Sequence, residues 1–282
     1  MLWEVGGGVR IVMTWLRLEA RRRWVSLVVL ALLVAVSTAI VLTAAAGARR
    51  GDSAVDRLEA QTLPTTVAVL ANQPGFNWNK IKALPEVAAM TRFPVTFSSM
   101  VNGCPDASTD FPMMDPSYGT TIERPVIIAG RRADPNRADE VVVTPQFLAA
   151  CHHRLGDTLT LELATPKQID QQFDPSQGPP AGPRVRARIV GVGNDTWDTV
   201  TGTGPGLYGA VISTPGLYAH YPASMIGTSA GSSQLYINAL VRLKGGDAAV
   251  PAFRADLARV TGQSDIDVPT VSGFWVGPIR RI

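Results

Sequence analysis

The stretch AGRRADPNRADEVVVTPQFLAACHHRLGDTLTL, residues 129–161, packs two strand signals and one helix signal into a single run. Val141, Val142 and Val143 make the short apolar run of a buried strand, and RRADPNRA before them is turn chemistry that separates it from the apolar RPVIIAG. Thr144 and Pro145 hold the N-cap and first-turn places of a short helix, PQFLAACHHRL. Gly156-Asp157 then turns the chain into TLTLEL. There Leu159, Leu161 and Leu163 face one way, and Thr158, Thr160 and Glu162 the other. Short strands mixed with a short capped helix predict an α+β domain.

Cys151-His152-His153 inside that run looks reactive. A zinc site needs about four converging ligands, and neighbours on a helix point about 100° apart, so the three do not face one ion. The third histidine, His220, is distant, and no second Cys/His pair accompanies it. A nucleophilic Cys151 would need a base and an electropositive site, and His153 is too close in sequence to serve as that base. The simpler reading is a helix end, with Cys151 either buried or bridged to Cys104. With two cysteines in the chain, an exported domain has the single pairing Cys104–Cys151 open to it.

Export follows from the N-terminal part. The chain has 282 residues, 46% of them hydrophobic and 17% charged, with a net charge of +3. Its basic residues gather around one apolar segment. VSLVVLALLVAVSTAIVLTAAA, residues 25–46, carries no charge and runs roughly 22 residues, enough to cross about 30 Å of hydrocarbon. Arg17, Arg21, Arg22 and Arg23 precede it. Behind it, Arg49, Arg50 and Arg57 are offset by Asp52, Asp56 and Glu59. That asymmetry predicts a transmembrane helix over 24–48 in the cytoplasmic membrane, with residues 1–23 cytoplasmic and the chain from 49 outside. Arginines bracketing a span fit lipid headgroups, and no basic face interleaved with aromatics suggests nucleic acid. AGA at 46–48 would also suit signal-peptide cleavage, but the apolar core exceeds the usual h-region. Upstream, VRIVMTWLRLEARRR places Val9, Met13, Leu16 and Ala20 on one face and Arg10, Arg17 and Arg21 on another, as a helix lying on the membrane surface would.

Two strand–helix–strand units frame the exported part. In the first, TTVAVL precedes a helix capped by Asn77 with Trp78, Ile81 and Leu84 on one face. Phe93, Val95 and Phe97 then alternate as a strand, with Pro94 favouring an edge. In the second, LYINALVRL precedes a helix capped by Asp247, with Val250, Phe253, Leu257 and Val260 on one face and Gly262 at its end. Together they predict a split ferredoxin-like layer over residues 49–275, with a mostly β insertion at about 98–234. Within the insertion, Arg184, Arg186 and Arg188 alternate on one strand face, the solvated side of the sheet. TGTGPGLYG and MIGTSAGSS read as loops.

The order AGRRADPNRADEVVVTPQFLAACHHRLGDTLTL followed by RARIVGV resembles the pattern G-R…E-V-V-V…G-D-x-L-x-L…V-V-G-I. That pattern is typical of the extracytoplasmic core domain of FtsX/MacB-like ABC transporter permeases. Gly130-Arg131, Glu140 to Val143 and Gly156 to Leu159 carry most of it, and a single helix directly before the domain fits the same family. The resemblance covers roughly residues 10–275. Permeases of this kind resume with further membrane helices. FWVGPIRRI, with 276–282 as a truncated approach to a second span, therefore implies a fragment of such a subunit.

The resemblance implies a cytoplasmic ABC ATPase subunit as partner, a second permease unit or the remaining permease helices, and a place in the lipid bilayer. It implies mechanotransmission, in which ATPase closure moves the membrane helices and thereby the external domain. The work served would be export of lipid, lipoprotein or peptide-like cargo, or regulation of an envelope protein. No G-x-x-x-x-G-K-[ST] and no G-x-S-x-G occur, and GVGND at 191–195 lacks the third glycine and following helix of a dinucleotide loop. Asp195 and Asp198 read as solvated loop carboxylates. No catalytic residue, cofactor site or metal site is expected. The competing expectation is a single-pass or secreted α+β binding module with no ATPase partner.

Overall fold

The computed structural model describes residues 15, 23–73, 75–96, 98–105, 107–109, 111–174, 178–194, 209–228 and 236–271. The surface helix expected over 9–23 (apart from Trp15 and Arg23), Phe97, Asp195, Asp198, most of TGTGPGLYG and residues 276–282 lie outside the described residues. The chain divides into two compact units, Met1–Leu58 and Glu59–Ile282.

Helix α1 (Trp24–Thr62) makes up the described part of the first unit beyond Trp15 and Arg23, and its last turn belongs to the second. Trp24–Gly47, 24 residues with a mean hydropathy of 2.9, is long and apolar enough to cross a membrane. The hydroxyls of Ser37, Thr38 and Thr43 each donate to the carbonyl four residues back at 2.7 Å, so these polar groups stay satisfied in an apolar solvent. The helix does not stop where its apolar run stops. From Arg49 to Thr62 no proline interrupts it; Pro64 is the first, and the residue before a proline is driven out of the α region. Leu63 turns left-handed there, at φ 49°.

The second unit is α+β with two sheets. In the small one, β1 (Val67–Val69), β10 (Ile237–Leu243) and β2 (Val87–Pro94) lie in that order, all antiparallel. Isolated bridges Val67–Thr270 and Leu70–Asp267 lay a further segment antiparallel to β1. Helices α2 (Trp78–Lys82) and α7 (Val250–Thr261) cover one face, burying Trp78, Ile81, Phe253 and Leu257 against Val67, Val69 and Val241. Asn77 holds the N-cap place of α2 without a side-chain cap bond. Asp247 does not cap α7. A 3-10 turn, Gly246–Ala249, intervenes, moving the cap to Ala249 ahead of a proline whose fixed φ suits a first turn. Gly262 ends α7 left-handed at φ 72°. Phe93 is buried, but β2 ends at Pro94, so Val95 stands 44% exposed instead of continuing the alternation.

The large sheet runs β3 (Ser99–Val101), β7 (Thr158–Leu163), β8 (Arg184–Asn194), β6 (Glu140–Val143), β9 (Ala210–Ile212), β4 (Ser108–Thr109). β5 (Val126–Gly130) pairs with the end of β8. Leu159, Leu161, Leu163, Val185, Ala187 and Ile189 supply the alternating inner face, closed by Val141, Val143 and Phe147. Helix α3 (Pro145–Ala150) carries Phe147, and the Thr144 hydroxyl accepts the Phe147 N–H as its cap. α3 is shorter than PQFLAACHHRL, because Cys151 is its C-cap and His152 turns left-handed at φ 56°. Three helices carry no label in the sequence reading: α4 (Pro166–Asp170), α5 (Pro215–His220) and α6 (Ala223–Ile226). The last takes in Met225 and Ile226, which the loop reading of MIGTSAGSS had left unstructured.

The glycines of GVGND serve strand packing. A Cβ on Gly191 would stand 2.1 Å from the Arg131 carbonyl, and one on Gly193 2.4 Å from the Val126 carbonyl. Between the two sheets, Ala68, Phe93 and Leu240 pack on Ile122, Val142 and Ile212, so one core joins the two layers.

Candidate functional site

The residues singled out by chemistry come first. Cys104 and Cys151 are brought together with Cα atoms 5.7 Å apart and their sulfurs joined. The joined cysteines tie the turn after β3 to the end of α3. His152 and His153 do not converge on Cys151 as ligands: His153 stacks flat on Phe147, with ring centroids 5.7 Å apart, and its Nδ1 lies 3.8 Å from Asp157. His220 sits at the end of α5 with Nδ1 against the Gly216 carbonyl, 2.8 Å away. Among the described residues no group of three or more His, Cys, Asp or Glu side chains could hold a metal ion.

Glu140 and Arg131 form a structural knot. The Arg131 guanidinium donates twice to the Glu140 carboxylate, both at 2.7 Å, while the Asp134 N–H and Arg137 add 3.1 and 3.3 Å contacts. Hydrogen bonding from Arg131 holds the Glu140 carboxyl below its usual range, and the same bond raises Arg131. The turn RRADPNRA is thus tied down from its following strand.

A second bonded site is the seam at the end of α1, all within the second unit. A helix leaves its last carbonyls without intrahelical partners, and water usually takes them. Here the Arg124 N–H donates to the Thr62 carbonyl at 2.6 Å and the Glu123 N–H to the Leu63 carbonyl at 3.0 Å. In return Glu123 Oε1 accepts the Thr65 N–H at 2.6 Å. Glu123 is 1% exposed, and Thr62, Thr65 and Thr66 are buried with it. Thr66 continues the stitching. Its N–H donates to Val241, its hydroxyl accepts from Leu243, and its carbonyl accepts from Val271. Both Leu63 and Glu123 take positive φ, 49° and 48°, a conformation costing about 1 kcal/mol or more each that surrounding bonds must hold.

The partner segment of the seam, 115–124, is itself anchored. Asp115 receives Arg92 twice through the guanidinium, at 2.9 and 2.7 Å, and once through its backbone N–H, at 2.8 Å. Hydrogen bonding to Asp115 raises Arg92, and burial raises the Tyr218 hydroxyl nearby. Ser117 donates to the Met90 carbonyl at 2.6 Å, and Arg242 of β10 donates to Thr121 at 3.0 Å. The end of α1 is therefore fastened through segment 115–124 to both the edge and the centre of the small sheet. Nothing in the pattern around IERP predicts this role for Glu123; the one local signal is Pro64, which forces the chain out of the helix at Leu63.

No family model matches the chain, and no curated protein matches it. Among solved structures, the chain is similar to the periplasmic region of MacB from Actinobacillus actinomycetemcomitans, at 13% identity over 77% of this chain and 94% of that one, with a TM-score of 0.42. It is also similar to a domain assigned to a permease protein from Porphyromonas gingivalis, at 14% identity over 73% and 88%, with a TM-score of 0.38.

Proposed function

We propose that the chain is the first part of an ABC transporter permease subunit of the FtsX/MacB-like type. In this reading α1 crosses the cytoplasmic membrane with residues 1–23 inside, and residues 49–275 form the extracytoplasmic domain. The small sheet with its two helices is read as a split ferredoxin-like layer and residues 98–234 as its insertion, a reading supported by the strand order and by both helices covering one face. The observation that carries the proposal is the seam: the end of α1 is joined to segment 123–124 by two backbone bonds, with a buried carboxylate bonding back to Thr65. A domain that only needed anchoring would be served by a loose tether. A domain that must follow a moving helix would need the helix end bonded down, and the bonds at Thr62 to Thr66 support that reading.

The working assembly would join this subunit to a second permease unit, or to the remaining permease helices, and to a cytoplasmic ABC ATPase. The ATPase supplies ATP hydrolysis, since this chain carries no Walker A motif. ATPase closure would shift α1, and the seam would pass that shift to the external domain, serving export of lipid, lipoprotein or peptide-like cargo or control of an envelope protein. The Cys104–Cys151 bridge belongs to this reading, because an oxidising compartment sustains it. Co-purification of the full chain from membranes with an ABC ATPase subunit tests the proposal. Stoichiometric recovery of the pair is expected. A membrane form that never associates with an ATPase overturns it in favour of the anchored binding module.

A further inference from the structure

Arg184, Arg186 and Arg188 project side by side from β8, all exposed, on the face of the large sheet opposite Val185, Ala187 and Ile189. Across from them on β7 stand Glu162, Thr160 and Thr158, residue for residue. The nearby carboxylates are engaged elsewhere. Glu162 takes Arg184 at 2.9 Å and Asn102 at 2.9 Å. Glu140 takes Arg131 and Arg137, and Asp139 takes Arg137. Asp157 accepts the Arg154 N–H and faces His153. Arg186 and Arg188 therefore point into solvent with no carboxylate partner among the described residues. Half-buried Val190 follows where the pairing of β8 with β6 shifts register. Beyond it Leu155, 43% exposed, lies over Gly130, and Ile128 on β5 is 62% exposed.

We propose that this face docks an extended segment of a partner protein that carries acidic side chains at every second residue and an apolar residue at one end. Side chains two residues apart on a strand leave the backbone about 6.6–6.8 Å apart, and alternate side chains on a second extended chain leave it at the same spacing, so guanidinium forks and carboxylates can pair in register. Thr158 and Thr160 flank them with hydroxyls that accept or donate, and exposed Leu155 offers the apolar residue a seat. An anionic bilayer is the poorer fit, since lipid-binding basic clusters gather about four to eight Lys or Arg side chains and here two are free. The inference goes beyond the transport reading and does not depend on an ATPase.

The test uses the full chain in detergent and four probes: the peptide Leu-Ser-Leu-Ser-Glu-Ser-Glu-Ser, its reverse sequence, an isomer with both glutamates adjacent, and glycerophosphoglycerol, the water-soluble headgroup of phosphatidylglycerol. One alternating peptide is expected to bind, at least about threefold more tightly than the isomer. Arg186→Gln/Arg188→Gln should weaken it about tenfold, and raising salt from 0.1 to 1 M, where the Debye length falls from about 10 to about 3 Å, should do likewise. Arg254→Gln, on α7, should leave binding unchanged. Equal binding of the isomer, an unaffected double variant, no peptide binding, or binding of the lipid headgroup alone would each overturn the proposal.

Discussion

The small sheet joins strands from the two ends of its unit, β1 and β2 from residues 67–94 and β10 from 237–243, whereas every strand of the large sheet falls between Ser99 and Ile212. The first closes a long loop before any of its pairs form; the second is assembled from contiguous chain. The charged groups follow the same division. At the small sheet a buried carboxylate and an arginine pair fix backbone to backbone, at Glu123 and at Arg92–Asp115. On the large sheet two arginines stand open. Charged groups at the small sheet fix backbone, and those of the large sheet's arginine face meet solvent.

The largest effect should come from emptying either core. Phe253 on α7, packed on the small sheet, and Phe147 on α3, packed on the large one, are both 0% exposed, and Phe→Ala at such sites costs about 3–5 kcal/mol. Because Ile122, Val142 and Leu240 share one interlayer core, each variant should shift a single unfolding transition seen in denaturant by both fluorescence and circular dichroism. Two separate transitions would break the picture of coupled layers. Next comes the Cys104–Cys151 link, with a sequence separation of 47; replacing both cysteines by serine should cost about 2–4 kcal/mol, and reductant should cost the unmodified chain the same. Free thiols titrating in the untreated protein would rule the bridge out.

Glu140→Gln should cost about 1–3 kcal/mol at neutral pH by removing charge-assisted bonds from Arg131 and Arg137. The folded state holds the Glu140 carboxyl below its ordinary range. Its contribution is therefore present above the unfolded carboxylate range and is lost as pH falls through the depressed folded value. The gap between the parent and the variant should close on acidification, measured as denaturation midpoints at neutral and acid pH. A gap that stays constant would mean that Glu140 acts by packing alone. The smallest effect belongs to the seam: Glu123→Gln keeps an acceptor for Thr65 and should cost less than about 1 kcal/mol, while Glu123→Ala leaves that buried N–H unmet at about 1–3 kcal/mol.

The sequence made some of this legible for identifiable reasons. Leu159, Leu161 and Leu163, the Thr144 cap and the Trp78/Ile81/Leu84 face follow from local periodicity and capping, and the structure has them all. Arg184, Arg186 and Arg188 are exposed, as their alternation requires. The Thr165–Gln168 capping box of α4 is readable in the same way, as a threonine with glutamine three residues on. Glu123 was not readable at all. Its role depends on Thr62 and Leu63, far away in sequence, whose carbonyls it and Arg124 meet only in the folded chain. Ile128 misled in the opposite way, as an apolar residue that a bulged edge strand leaves in solvent.

Amide hydrogen exchange at Thr65, Glu123 and Arg124 in the membrane-embedded chain tests the stiff seam most directly. The account predicts that these three amides exchange as slowly as those of Val69 and Val241 in the sheet, and that Glu123→Ala speeds Thr65 by at least about tenfold. Exchange at the rate of an open turn in the unmodified chain would mean that α1 is only tethered to its domain, and the coupling claim would be wrong.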